Sequence, residues 1–298
     1  MRKLKVAYCN SLNFGDALSP YIIAKLSGLK ILPRTVCATT SGRIRAVLHF
    51  IKDLLHGRTA ELQLPQMASD ACVMAVGSIL GWGNSHASIW GCGFIDEADE
   101  FHGGRIYALR GGVSLNKLKA AGVSCGNPPF GDPALLLPLI VPPAPTKQFD
   151  LGVIPHITSF DWFKEHYDER CHIIDLRTRD IESCIHEITS CRYIVSISLH
   201  GLIVPHAYGI PALHIKRVEA NEMGFKYRDY LSSVAITPYK PFCNLEELFS
   251  LSAEQLDAFF AENSHRSLPQ NDLARIQRDL LRAAPFPLID KYRAIANS

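Results

Sequence analysis

An α/β protein with two parallel-sheet units is the fold this sequence predicts, and three observations lead there. Short apolar runs of strand character recur along the chain, each ending in Gly or a turn, and helical patterns alternate with them. At 298 residues the chain has ample length for two domains with real cores. Pro138, Pro142, Pro143 and Pro145 then form the clearest linker, which divides the chain into 1–143 and 144–298.

Composition narrows the class. A hydrophobic content of 47% with 20% charged residues describes a globular protein. A net charge of +2 without a long Lys/Arg run gives no case for a nucleic-acid partner. The basic start, Met1 to Tyr8, has too short an apolar part for a signal peptide and reads as a strand; no apolar run reaches transmembrane length. Nine cysteines, odd in number and without a CxxC pair, point to reduced thiols in a cytoplasmic protein, not to disulfides or a metal site.

In chain order, Leu4 to Tyr8 is the first strand, followed by a turn at Asn13-Phe14-Gly15-Asp16 and a helix over 17–26. Residues 41–58 predict a helix with Ile44, Val47, Leu48, Ile51, Leu54 and Leu55 on one side. Arg43, Arg45, Lys52 and Arg58 decorate it against Asp53 alone. Such a helix either packs on a core, the role favoured for it, or lies on an anionic membrane surface. Strands follow at 71–76, 89–93 and 105–109, ending in Gly77, Gly91/Gly93 and Arg110-Gly111. None opens a G-x-G-x-x-G helix, so a dinucleotide site is unsupported. Beyond the linker, strands are expected at 150–155 and 172–176, a helix at 181–191, and tail helices at 245–261 and 271–283.

The centre of the chain is Cys191 to Pro211. An apolar strand at 193–197 breaks at Ser198 and Gly201, and a helical pattern then runs to Gly209-Ile210-Pro211. This corner presents Ser198, Leu199, His200 and Gly201 at a strand's carboxyl end and a helix's amino end, a natural seat for phosphate or carboxylate. His200 adds a group that titrates near neutrality. His156 ends the 150–155 strand, and Arg110 ends another; a guanidinium fork suits bidentate binding of an anion.

The wording of these segments resembles the polysaccharide pyruvyl transferase family. Ser198-Leu199-His200-Gly201 with Ala207-Tyr208-Gly209-Ile210-Pro211 is similar to its "SLHG…AYGIP" signature. Asn13 to Asp16 resembles its "N-x-GD", Arg110 to Ser114 its "RG-x-x-S", and Gly131 to Leu137 its "GDP-x-LL". Ile154-Pro155-His156 resembles "IPH", and Phe225 to Tyr230 resembles "F-K-x-x-DY", expected as a cleft-rim loop. The resemblance implies two facing Rossmann-like domains like those of GT-B glycosyltransferases, the amino-terminal one on the acceptor side and the last helices packing back on it. It implies an enzyme that moves pyruvate from phosphoenolpyruvate onto a glycan precursor, such as a lipid-linked oligosaccharide at the inner membrane face, as a cyclic ketal.

In that scheme His200 and His156 are the catalytic candidates, and Arg110, Ser198, Leu199, His200 and Gly201 bind the donor. Asn13 and Asp16 border the cleft, and Asp132 has a structural role. No cofactor or metal is needed. Some members carry arginine where Ser198 stands, so Arg110, or else Lys216 or Arg217, must supply the missing charge. The alternative is a GT-B glycosyltransferase using a nucleotide sugar, although no D-x-D occurs. Glu246 and Glu254 match its E-x7-E spacing but fall in separate helices.

Overall fold

The computed structural model describes residues 3–37, 40–56, 63–67, 69–167, 171–218 and 222–298. Its first half alternates β1 (Lys3–Tyr8), α1 (Phe14–Ser27), β2 (Lys30–Thr35), α2 (Thr40–Leu55), β3 (Leu64–Pro65), β4 (Val73–Met74), β5 (Ser88–Trp90), β6 (Arg105–Ala108) and α3 (Gly112–Ala120). Every strand pairing is parallel, in the order β3-β2-β1-β4-β5-β6. The order reverses between β1 and β4, where an open parallel sheet offers a crevice beyond the strands' carboxyl ends.

The second half comprises β7 (Phe149–Ile154), α4 (Phe160–Tyr167), β8 (His172–Ile173), α5 (Ile181–Thr189), β9 (Cys191–Ser196), α6 (His200–Ala207), β10 (Ala212–His214) and α7 (Phe225–Ser233). These strands form a second parallel sheet, ordered β10-β9-β7-β8, which reverses between β7 and β9. The chain is therefore mixed α/β with two parallel sheets, consistent with Rossmann-like units. Helices α8 (Leu245–Phe249), α9 (Ala253–Glu262), α10 (Ser264–Ser267), α11 (Leu273–Arg282) and α12 (Asp290–Asn297) complete it.

Local chemistry explains the starts and stops. Asn13 caps α1 by accepting from the Gly15 N–H at 2.9 Å, and Gly28, in the left-handed region, ends the helix. Within α1, Leu18, Ile22, Ile23 and Leu26 form the buried face. Ser252 and Gln255 make a reciprocal capping box at α9, which separates it from α8 within the helical stretch expected over 245–261. One apolar core runs through both sheets, from Val6 and Trp90 to Val153 and Ile194, and takes in Leu280 and Tyr292 of the tail. The tail meets the first sheet directly: Trp90 donates its indole N–H to the Leu280 carbonyl at 2.9 Å, and Ile289 N–H bonds Leu26 O at 2.9 Å. The proline-rich stretch is packed as well, with Val141 buried and its carbonyl accepting from Tyr208 at 2.8 Å.

Three expectations are corrected. The Phe225–Tyr230 segment is the start of helix α7 and not a loop; Phe225, Asp229 and Tyr230 are buried on its inner face. Strand β2 was not foreseen, because Pro33 interrupts it. The proline is tolerated there since β3 pairs only with Arg34 and Thr35. Helix α2 does not turn its apolar stripe to the core: Ile44, Val47, Leu48, Ile51, Leu54 and Leu55 are all exposed. Arg58, at the far end of that expected helix, lies outside the described residues.

Candidate active site

The two strand-order reversals face one another across a cavity of about 190 Å³. From the first sheet come Cys9, beyond β1, and Gly77 and Ser78, beyond β4. From the second come His156, beyond β7, and Ser198, Leu199 and His200, beyond β9. Roomier hollows of about 420 Å³ at the amino ends of β7 and β8, and about 450 Å³ among the tail helices, lie away from the carboxyl ends where open parallel sheets bind ligands.

The β9–α6 corner is built by Ser196. Its hydroxyl donates to Ile154 O at 2.9 Å and accepts from Ser198 N–H at 2.8 Å, so it pins the turn onto β7. Gly201 is needed beside it: a Cβ there would stand 2.1 Å from the Ser196 oxygen. This holds Gly201 behind the cavity wall while Ser198, Leu199 and His200 line it. The amino end of α6 consequently opens onto the cavity and carries partial positive charge.

His200 is gripped between the two halves. Its Nδ1 edge lies over Gly15 so closely that a Cβ at that position would be 2.2 Å away. Its Nε2 points to Asp132, 3.8 Å from Oδ2, and neither atom has a hydrogen-bond partner. Asp132 does perform the structural role expected of it: Oδ1 accepts from Ala134 N–H at 2.9 Å and caps the short 3-10 helix Pro133–Leu139. Its second oxygen is left for the histidine. The spacing would suit an ion pair, but burial disfavours both charges. Burial first, then Arg110 and Lys226, hold the imidazole down to about 3, and burial pushes the Asp132 carboxyl up to about 7. Near neutrality the imidazole is uncharged and the carboxyl is poised between its two forms.

Arg110 is placed differently from expectation. Its guanidinium is 0% exposed and does not line the cavity. Nε donates to Asp229 Oδ2 at 2.9 Å, Nη1 to Ser78 Oγ at 2.6 Å and Nη2 to Phe94 O at 2.5 Å. The Asp229 carboxylate also accepts from the N–H and the hydroxyl of Ser114, each at 2.7 Å. Two segments singled out in the sequence, Arg110–Ser114 and Phe225–Tyr230, thus lock together. Gly93 makes room for them, since a Cβ there would fall 2.4 Å from Asp229 Oδ2. The physical reason for the difference is the buried carboxylate of α7, which claims the guanidinium.

Asn13 and Asp16 line the cavity, the first also capping α1 and the second accepting from the Ser11 hydroxyl. Burial raises the Asp16 carboxyl above its ordinary range. His156 Nδ1 pairs with Thr158 Oγ1 at 2.8 Å, and burial, then Lys226, hold its ring below the ordinary histidine value. The cavity's own cation is Lys226, which the sequence reading passed over inside a presumed loop. Burial, then Arg110, lower its ammonium. Cys9 is no candidate nucleophile: burial, then Asp16, push its thiol up to about 12.

Comparison with known proteins bears on these residues. An uncharacterized protein of Acanthamoeba polyphaga mimivirus is 28% identical over 223 residues, covering 66% of this chain and 77% of that protein. No solved structure matches. A family model described as "Polysaccharide pyruvyl transferase" matches residues 89–217, a span that holds Arg110, Asp132, His156 and His200, so the resemblance read from short motifs is shown across the centre of the site: the chain resembles the polysaccharide pyruvyl transferase family.

Proposed function

We propose that this protein transfers the pyruvyl group of phosphoenolpyruvate to two hydroxyls of one sugar in a glycan precursor, forming a cyclic ketal and releasing phosphate. The observation that carries the reading is the cavity where both sheets reverse. It gathers Lys226, the amino end of α6 and two histidines, one of which, His200, turns Nε2 toward the free oxygen of the buried Asp132 carboxyl behind the cavity wall. A small multiply charged anion matches the cation and the helix end. Arg110 supports the donor from behind, through Ser78 and through its field, in place of direct contact.

The chemistry asks for one proton in and two out. Protonation of the donor's methylene carbon leaves a cation at the ketal carbon. The first sugar hydroxyl adds there and gives up its proton, phosphate departs with its bonding electron pair, and the second hydroxyl closes the ring. In sum, one hydroxyl proton resides on the new methyl group and the other on the phosphate. His200 and Asp132, which burial leaves with a single proton to share near neutrality, are the pair through which such protons pass. His156 and Lys226 hold the donor's charged groups, and Asn13 and Asp16 meet the acceptor. The division at residues 143 and 144 assigns the first sheet to the acceptor and the second to the donor.

Incubation with phosphoenolpyruvate and candidate lipid-linked oligosaccharides tests this. Phosphate release coupled to a mass gain of one pyruvyl ketal is expected. Consumption of a nucleotide sugar with phosphoenolpyruvate untouched would replace the reading with glycosyl transfer.

A further inference from the structure

Single exposed apolar side chains are ordinary on a protein surface, but contiguous ones are not. Among the described residues twelve large hydrophobic side chains are exposed, and six of them sit on α2: Ile44, Val47, Leu48, Ile51, Leu54 and Leu55, each between 40% and 78% exposed. Their spacing of three and four residues places them within an arc of about 120° on the helix. Ala46 and Phe50, outside that arc, are half-buried. The stripe continues past the helix, since α2 lies against β3, whose Leu64 is also exposed.

We propose that α2 is a membrane-surface contact, its apolar stripe settling into the headgroup boundary of an anionic bilayer with the helix axis parallel to the surface. Charge selects this occupant. The segment Thr40–Leu55 carries Arg43, Arg45 and Lys52 against Asp53 alone. Lys52 is exposed beside the arc, and an apolar stripe on a segment with an excess of cations is the pattern of a helix that lies on anionic lipid. A second copy of the chain would bring two like-charged helices together, whereas anionic headgroups complement the segment's net positive charge. Spanning is excluded for this element, because no described helix is long and apolar enough to cross a membrane.

The test is sedimentation of the full chain with vesicles of phosphatidylcholine alone or mixed with phosphatidylglycerol, at low and high salt. No substrate is present, so the outcome stands apart from the transfer reaction. Binding is expected to the mixed vesicles, weakening as salt rises. The double variant Leu48→Gln/Ile51→Gln, at exposed positions and with its fold checked by thermal unfolding, should bind at least about tenfold more weakly. Lys52→Glu should weaken binding to the mixed vesicles only. Absence of binding at low salt overturns the proposal, as does equal binding by the double variant. Self-association abolished by that variant, without vesicle binding, would assign the stripe to a second copy instead.

Discussion

Two buried acid–base pairs adjoin the same cavity and are built in opposite ways. Arg110 and Asp229 are both 0% exposed, and their polar atoms are engaged: three hydrogen bonds leave the guanidinium, and the carboxylate accepts from Arg110 and twice from Ser114. Asp132 and His200 are nearly as buried, yet Oδ2 and Nε2 face each other at 3.8 Å with no other partner. The first pair offsets its desolvation with charge-assisted hydrogen bonds and ties β6 to α7. The second offsets only part of that cost, through Ala134 N–H on Oδ1, and both groups are driven toward their neutral forms. Satisfaction of the polar atoms, more than burial, separates the structural pair from the one proposed to move a proton.

The contrast breaks most visibly at the satisfied pair. Arg110→Ala or Asp229→Ala leaves a buried charge alone and is expected to cost about 3–5 kcal/mol of stability, read from denaturant unfolding. Arg110→Lys keeps the charge but loses the fork and should also act on stability first. Should Arg110→Lys fold as stably as the parent while donor KM rises, the guanidinium reaches the donor itself and the two pairs are less distinct than drawn here.

At the unsatisfied pair the expected loss is in rate. His200→Gln should lower kcat by roughly 10²–10⁴ at saturating phosphoenolpyruvate, whereas His156→Gln should mainly raise KM. Asp132→Asn retains the cap of the 3-10 helix, because asparagine caps as well as aspartate. It should therefore fold normally, lose a smaller part of kcat and erase the limb of the pH–rate profile near 7. A His200→Gln enzyme with near-normal kcat beside an inactive His156→Gln enzyme would move the proton-transfer role to His156.

Acid stability distinguishes the buried groups by the sign of their linkage. His206 and His214 are buried and neutral: His206 Nε2 donates to Ala212 O and its Nδ1 accepts from the Tyr230 hydroxyl, while His214 Nδ1 donates to Ser196 O. Burial holds both down to about 4. Unfolding lets them take up protons from about pH 6.5 downward, so the stability they contribute is present above 6.5 and falls as pH drops toward 4. The loss is on the order of 3 kcal/mol for each. Asp132, raised to about 7, works in the opposite sense between 7 and its unfolded value, and His200 works with the other histidines. Unfolding midpoints measured from pH 7.5 to 4 should decline, and Asp132→Asn should steepen the decline.

Much of the architecture was legible before any coordinates. Buried parallel strands such as β7 and β9 stand out as apolar runs ending in turns, and α1 shows its cap at Asn13. For the same reason His156 and His200 could be found: each stands in the turn region just past such a run, His156 beyond Ile154 and His200 at the start of α6 beyond Ser196, where local geometry places it. β2 escaped because Pro33 breaks its pattern, and α7 because its polar sequence hides the face that carries Phe225, Asp229 and Tyr230.

The sequence by itself determined the alternation of strands and helices, the strand-end histidines and the α2 stripe, all of them consequences of neighbours a few residues apart. What those groups do was decided only in three dimensions. Arg110 meets Asp229 across 119 positions, and Asp132 was free to face His200 only once two sheets had packed their reversals together. Whether a guanidinium is claimed or open, and whether a carboxyl is charged or poised, depends on desolvation and on partners far along the chain. Whether α2 is covered depends on what packs over it, which no period in the sequence encodes.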